Sequence, residues 1–131
     1  VIWFHTEDRK VHPREGILRL LAKGISLDAV VCYNDQIAMQ IIPALVSRGI
    51  RVPEDISVTG YDNSCMAMGD GFHLTTIVHP QEKLGEMAAQ LLLSLLRGET
   101  LQPEQSKILI QPELVVGNSC CGIFTSKYTT C

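Results

Sequence analysis

Two apolar, β-branched runs, each cut off by a polar phrase, limit what this chain can fold into more than any other feature. Ala29-Val30-Val31-Cys32 ends in Tyr33-Asn34-Asp35-Gln36, and Ile56-Ser57-Val58-Thr59 ends in Gly60-Tyr61-Asp62-Asn63. Such runs favour strands. Between them, Ile37, Ala38, Ile41, Ile42, Ala44 and Leu45 recur on adjoining helical faces and stop at Gly49, which closes a helix well. Strand, helix and strand in this order, with strands that lack a polar face, predict a parallel pair joined by a right-handed crossover and covered on both sides. In open parallel sheets ligands collect outside the carboxyl ends of the strands, so the two polar phrases are where a small molecule would be read. Each phrase also has a plainer use, since Asn34 or Asp35 can cap the following helix and Asp62-Asn63 can make a turn.

The rest of the chain continues the alternation. Val1 to His5 reads as a strand with nothing before it, which predicts a piece of a longer protein. After a charged loop, Pro13 suits the first helical position, and Ile17, Leu18, Leu20 and Leu21 keep helical spacing up to Gly24. Arg51 to Asp55 links the central helix to the second apolar run. Ser64 to Gly71, rich in small residues and methionine, reads as a loop. Leu74 to Val78 is a short extended stretch, and Pro80 opens a helix with Leu84, Met87, Ala88, Leu91, Leu92, Leu95 and Leu96 in register until Gly98. Lys107 to Ile110 and Leu114 to Val116 are strand-like, with Pro112 between them favouring an edge or a bulge. Asn118 to Cys131 reads as a loose tail. The class expected is α/β, a three-layer α/β/α lobe built on a parallel sheet.

Composition excludes several roles. The 131 residues suffice for one modest core, and 46% hydrophobic with 19% charged residues is ordinary for a globular protein. A net charge of -3 with scattered Lys and Arg offers no basic stripe for nucleic acid. No apolar stretch reaches the roughly 20 residues needed to cross a bilayer, and no secretion signal opens the chain, so the expected location is cytoplasmic. The five cysteines lack a disulfide or CxxC pattern and read as reduced thiols. Neither a metal nor a cofactor is expected.

Three segments carry a resemblance that pattern alone does not supply: Ala29 to Ala38, Gly49 to Asn63 with its run VPEDISVTGYDN, and Leu74 to Ile77. Together they resemble the effector domains of lactose- and galactose-repressor type regulators, over Val1 to Cys120. With His79-Pro80-Gln81-Glu82-Lys83-Leu84-Gly85 added, the likeness is nearest to arabinose-type repressors. The resemblance implies a periplasmic-binding-protein-like sensor of two lobes with the ligand in the cleft between them. Residues 1–119 would supply the C-terminal lobe together with a returning segment, 75–97, of the other lobe, and 120–131 a flexible tail. It further implies a small sugar as effector, operator DNA bound only through a head absent from this chain, and a homodimer.

By the same resemblance Asn34 and Asp62 match positions that hydrogen-bond the effector, and Glu7, after the first strand, is a third candidate. An ionised Asp accepts from two neighbouring hydroxyls and an Asn both donates and accepts, so such a pair can read sugar stereochemistry. Asp35 is expected as a helix cap or an inter-lobe contact. Gln36, Ile37 and Gln40 on the central helix, with Met66 and Met68, would lie near the two-fold axis; those methionines would equally serve to fill their own lobe. A transport-type sugar-binding protein is the alternative within this fold. Outside it stand a receiver-like phosphoacceptor using Asp35, Asp62, Glu7 and Asp8 with a late lysine, Lys107, and a Ser64-His79-Asp62 hydrolase that lacks Gly-x-Ser-x-Gly.

Overall fold

The computed structural model describes residues 12–64, 71–100 and 107–122; the expected first strand, Glu7, Met66 and Met68 lie outside them. Its elements are α1 (Pro13–Ala22), β1 (Ala29–Val31), α2 (Asp35–Val46), β2 (Ser57–Thr59), β3 (Thr76–Val78), α3 (Gln81–Leu96) and β4 (Glu113–Val115). Pro13 occupies the first position of α1, where its missing N–H leaves no bond unmade. α2 closes through Gly49, held at φ 75 while Ile50 N donates back to Leu45 O at 3.2 Å, a left-handed stop that glycine tolerates without strain.

β1 and β2 pair in parallel, Ala29 opposite Ser57, Val30 opposite Val58 and Val31 opposite Thr59, as the strand-helix-strand order requires. Cys32 N donates to Thr59 O at 2.9 Å and prolongs the ladder to the carboxyl end. Past β2 the chain runs beside β3, with a parallel bridge between Thr59 and Thr75 and bonds from Gly60 N to Thr75 O (3.0 Å) and from Asp62 N to Ile77 O (2.9 Å). β3 and β4 pair antiparallel, Thr76 opposite Val115 and Val78 opposite Glu113.

The core lies between α1, α2 and β2. Ile17, Cys32, Ala38, Ile41, Ile42, Ala44, Leu45, Ile56, Val58 and Leu74 are buried, and Leu45 and Val58 are wholly so. Burying either stabilises the fold by about 1.5–3 kcal/mol. β1 is covered on one face only among the described residues: Val31 is 83% exposed.

Two expectations are corrected. Lys107 to Ile110 forms no strand. Continuing the β3–β4 register past Val78 and Glu113 would set His79 and Pro80 opposite Pro112 and Gln111, and neither proline has an N–H for the ladder. Asn118 to Cys121 is also no loose tail. Val58 N donates to Ser119 O at 2.8 Å, Ser119 is wholly buried, and Cys121 N donates to Ser57 Oγ at 3.1 Å. Gly117 allows the approach, since a Cβ there would collide with the backbone of His73.

Candidate functional site

The two polar phrases meet. Asp35 N donates to Tyr61 O at 2.9 Å, so the residues after β1 and after β2 adjoin, and Asn34 and Asp62 each stand one residue from that bond. Asn34 precedes α2 with extended backbone (φ -152, ψ 174), and its side-chain oxygen accepts from Ile37 N at 3.0 Å. It is therefore the helix cap, which satisfies one of the free N–H groups of the first turn. Capping uses one lone pair of that oxygen, and the amide nitrogen has no partner among the described residues.

Asp62 is half-exposed and its carboxylate makes no hydrogen bond among the described residues. Its backbone sits at φ 95, followed by Asn63 at φ 49. Asn tolerates the second conformation, whereas the first costs an aspartate of order 1–3 kcal/mol and persists only where neighbours impose it. The constraint is visible in the bond from Asp62 N to Ile77 O.

Asp35, expected as a cap or an inter-lobe contact, is wholly buried. Its Oδ1 accepts from Thr76 Oγ1 at 2.6 Å and its Oδ2 from Ser64 N at 2.8 Å. The capping role belongs to Asn34, and Asp35 joins α2 to β3 and to the turn after β2. Sequence reasoning gave no such role to Asp35, nor to Thr75, Thr76 or Ser119. Ser119 Oγ donates to Val58 O at 2.6 Å and accepts from Thr75 N at 2.8 Å. Gly60 and Gly117 were the available signals, because glycine at a strand end often marks a close approach of other atoms.

Beside Asp62, Tyr61 Oη and His79 Nδ1 share a hydrogen bond at 3.1 Å, with ring centroids 5.8 Å apart. That bond ties the turn to the start of α3. The hydrolase reading gains no support from it, since the one hydrogen bond of the His79 ring among the described residues goes to Tyr61. The receiver-like reading fares no better where it can be followed: Lys107 is exposed on a segment that is not a strand. Among the described residues no three His, Cys, Asp or Glu side chains gather to hold a metal. The Cys32 thiol is pushed up to about 12, first by burial and then by the charge of Asp35, so it stays protonated and unreactive.

Of the residues expected near a two-fold axis, Gln36 is exposed, Ile37 packs on the edge of the core, and Gln40 is half-buried. Gln40 Oε1 is buried with no hydrogen-bond partner among the described residues.

Residues 3–120 match the model of the periplasmic binding protein-like domain. The chain is 36% identical over 124 residues to the arabinose metabolism transcriptional repressor of Halalkalibacterium halodurans, which aligns 91% of this chain with 33% of that protein. Among solved structures, a LacI family transcriptional regulator from Arthrobacter sp. FB24 in complex with lactose superposes with a TM-score of 0.70 at 29% identity, covering 82% of this chain and 41% of that one. The lac repressor dimer bound to operator and the anti-inducer ONPF gives a TM-score of 0.72 at 29% identity, over 84% and 37% of the two chains. The chain thus spans about a third of the length of the curated relative it matches.

Proposed function

The chain belongs to the periplasmic binding protein-like family, and from that premise we propose that it is the effector-sensing part of a transcriptional repressor of the lactose-repressor type. The effector is a small sugar, L-arabinose or a related pentose, and the response passes to a DNA-binding head beyond this chain. The observation that carries this reading is the Asp35 N to Tyr61 O bond, which brings Asn34 and Asp62 to one edge of the sheet. A carboxylate without a partner among the described residues, near a half-used amide, can receive adjacent sugar hydroxyls. Glu7 is the third effector contact in this reading. The curated relative is a repressor of arabinose metabolism, which supports the pentose.

The sugar acts by its differential affinity for open and closed lobes, and coupling to DNA is reciprocal, typically about 1–3 kcal/mol. The working form is a cytoplasmic homodimer, with Gln36, Ile37, Gln40, Met66 and Met68 at the two-fold axis. The test is a band-shift assay with the full-length protein, its operator and a titration of L-arabinose, with other pentoses alongside. Release of DNA on sugar addition, lost in Asp62→Ala while DNA binding persists, is the expected result. DNA binding indifferent to every pentose would overturn the reading.

A further inference from the structure

Among the described residues Asp35 is the one wholly buried acidic side chain. A carboxylate away from water persists only where its oxygens are met by donors. Here the donors come from two directions. Thr76 Oγ1 belongs to β3, whereas Ser64 N closes the turn after β2, and Asp35's own N–H reaches Tyr61 O at the start of that turn. The lengths, 2.6 and 2.8 Å, are those of charge-assisted bonds. Gly60 completes the arrangement, since a Cβ there would collide with Asp35 Oδ1.

The turn held at both ends in this way contains Asp62 at φ 95 and Asn63 at φ 49. An unclamped turn would leave those conformations for less strained ones. We propose that Asp35 is a positioning residue whose buried carboxylate clamps the Tyr61–Ser64 turn and thereby fixes where Asp62 presents its own carboxylate to the sugar. This rests on the reading of Asp62 as an effector contact. Without the clamp the turn spreads over several conformations, and the apparent affinity falls in proportion to the fraction that remains competent.

The experiment is calorimetric titration of L-arabinose and other pentoses into the full-length protein, at a temperature well below the melting point of every variant used. Thr76→Val removes one donor to the clamp and is expected to weaken sugar binding about tenfold, the scale of one hydrogen bond to a charged group. Thr76→Ser keeps the hydroxyl and should restore wild-type affinity. Asp35→Asn should weaken binding at least as much as Thr76→Val and speed hydrogen exchange at the Ser64 amide. Asp62→Ala should abolish binding yet leave that amide protected. Should Asp35→Asn fail to fold, the Thr76 pair decides the matter. Thr76→Val that melts earlier but binds sugar as tightly as wild type would overturn the proposal, leaving Asp35 a purely structural residue. A wild-type protein that binds no pentose sinks the effector reading and this inference with it.

Discussion

α2 and α3 are alike in sequence and opposite in circumstance. Both carry apolar residues at helical spacing and both are closed by glycine, Gly49 and Gly98, at positive φ. α2 buries Asp35, Ala38, Ile41, Ile42, Ala44 and Leu45, whereas α3, richer in leucine, buries none of its residues. Leu92, Leu93, Leu95 and Leu96 are all more than half exposed. A hydrophobic stripe therefore specifies a helix and a face, while the surface that face meets must come from elsewhere in the fold.

The largest test of this contrast is Leu45→Ala, which should destabilise the 131-residue chain by about 2–5 kcal/mol, the range for a buried leucine that leaves a cavity. Urea unfolding followed by circular dichroism measures it. Ser119→Ala comes next: it leaves Thr75 N without its acceptor and Val58 O without that donor, in a site closed to water. The expected loss is about 1–3 kcal/mol. An unchanged midpoint would mean that the Ser119 hydroxyl contributes nothing to the half of the molecule that α2 organises.

A smaller effect belongs to the connection that leads from α2 to β2. Asp55 accepts from Arg51 N, Nε and a guanidinium NH2 at 2.8, 2.9 and 2.6 Å, and these bonds hold its pKa down to about 2. A carboxylate depressed in the folded state stabilises fully above its unfolded pKa of about 3.9, and that contribution fades as pH falls through the folded value. The gap in melting temperature between wild type and Asp55→Asn should accordingly shrink between about pH 5 and about pH 2. Both groups face solvent, so the gap is small, and a gap that widens on acidification would refute the assignment. The smallest effect is expected of Leu92→Ala on α3, within about 0.5 kcal/mol in this chain. A loss comparable to that of Leu45→Ala would show that α3 packs in solution after all, and the contrast between the helices would fall.

The sequence carried the element order well where its signals are local. Pro13 and Gly24 bracket α1, Gly49 closes α2, and the β-branched runs became the parallel pair β1–β2. It misled at Lys107 to Ile110, where strand-like composition lies beyond Pro112 and Pro80, which interrupt the β3–β4 ladder. It was silent on Ser119, a small polar residue whose importance lies in reaching Val58 and Thr75, each more than forty positions away in the chain. At the candidate site, Asn34 and Asp62 stood out as polar groups after apolar runs. The division of labour between Asn34 as cap and Asp35 as buried clamp was not legible, because adjacent Asn and Asp are equally able to cap a helix.

By itself, then, the amino-acid order determined which segments coil and which extend, since propensity and periodicity act between residues a few positions apart. It also determined family membership, since residues 3–120 match the periplasmic binding protein-like domain. Only the tertiary structure decided that a carboxylate next to a helix cap would be sealed from water between β3 and the turn after β2. That choice depends on groups 29 and 41 residues distant, which desolvate Asp35 and satisfy it in the same step, and no local pattern encodes such an arrangement.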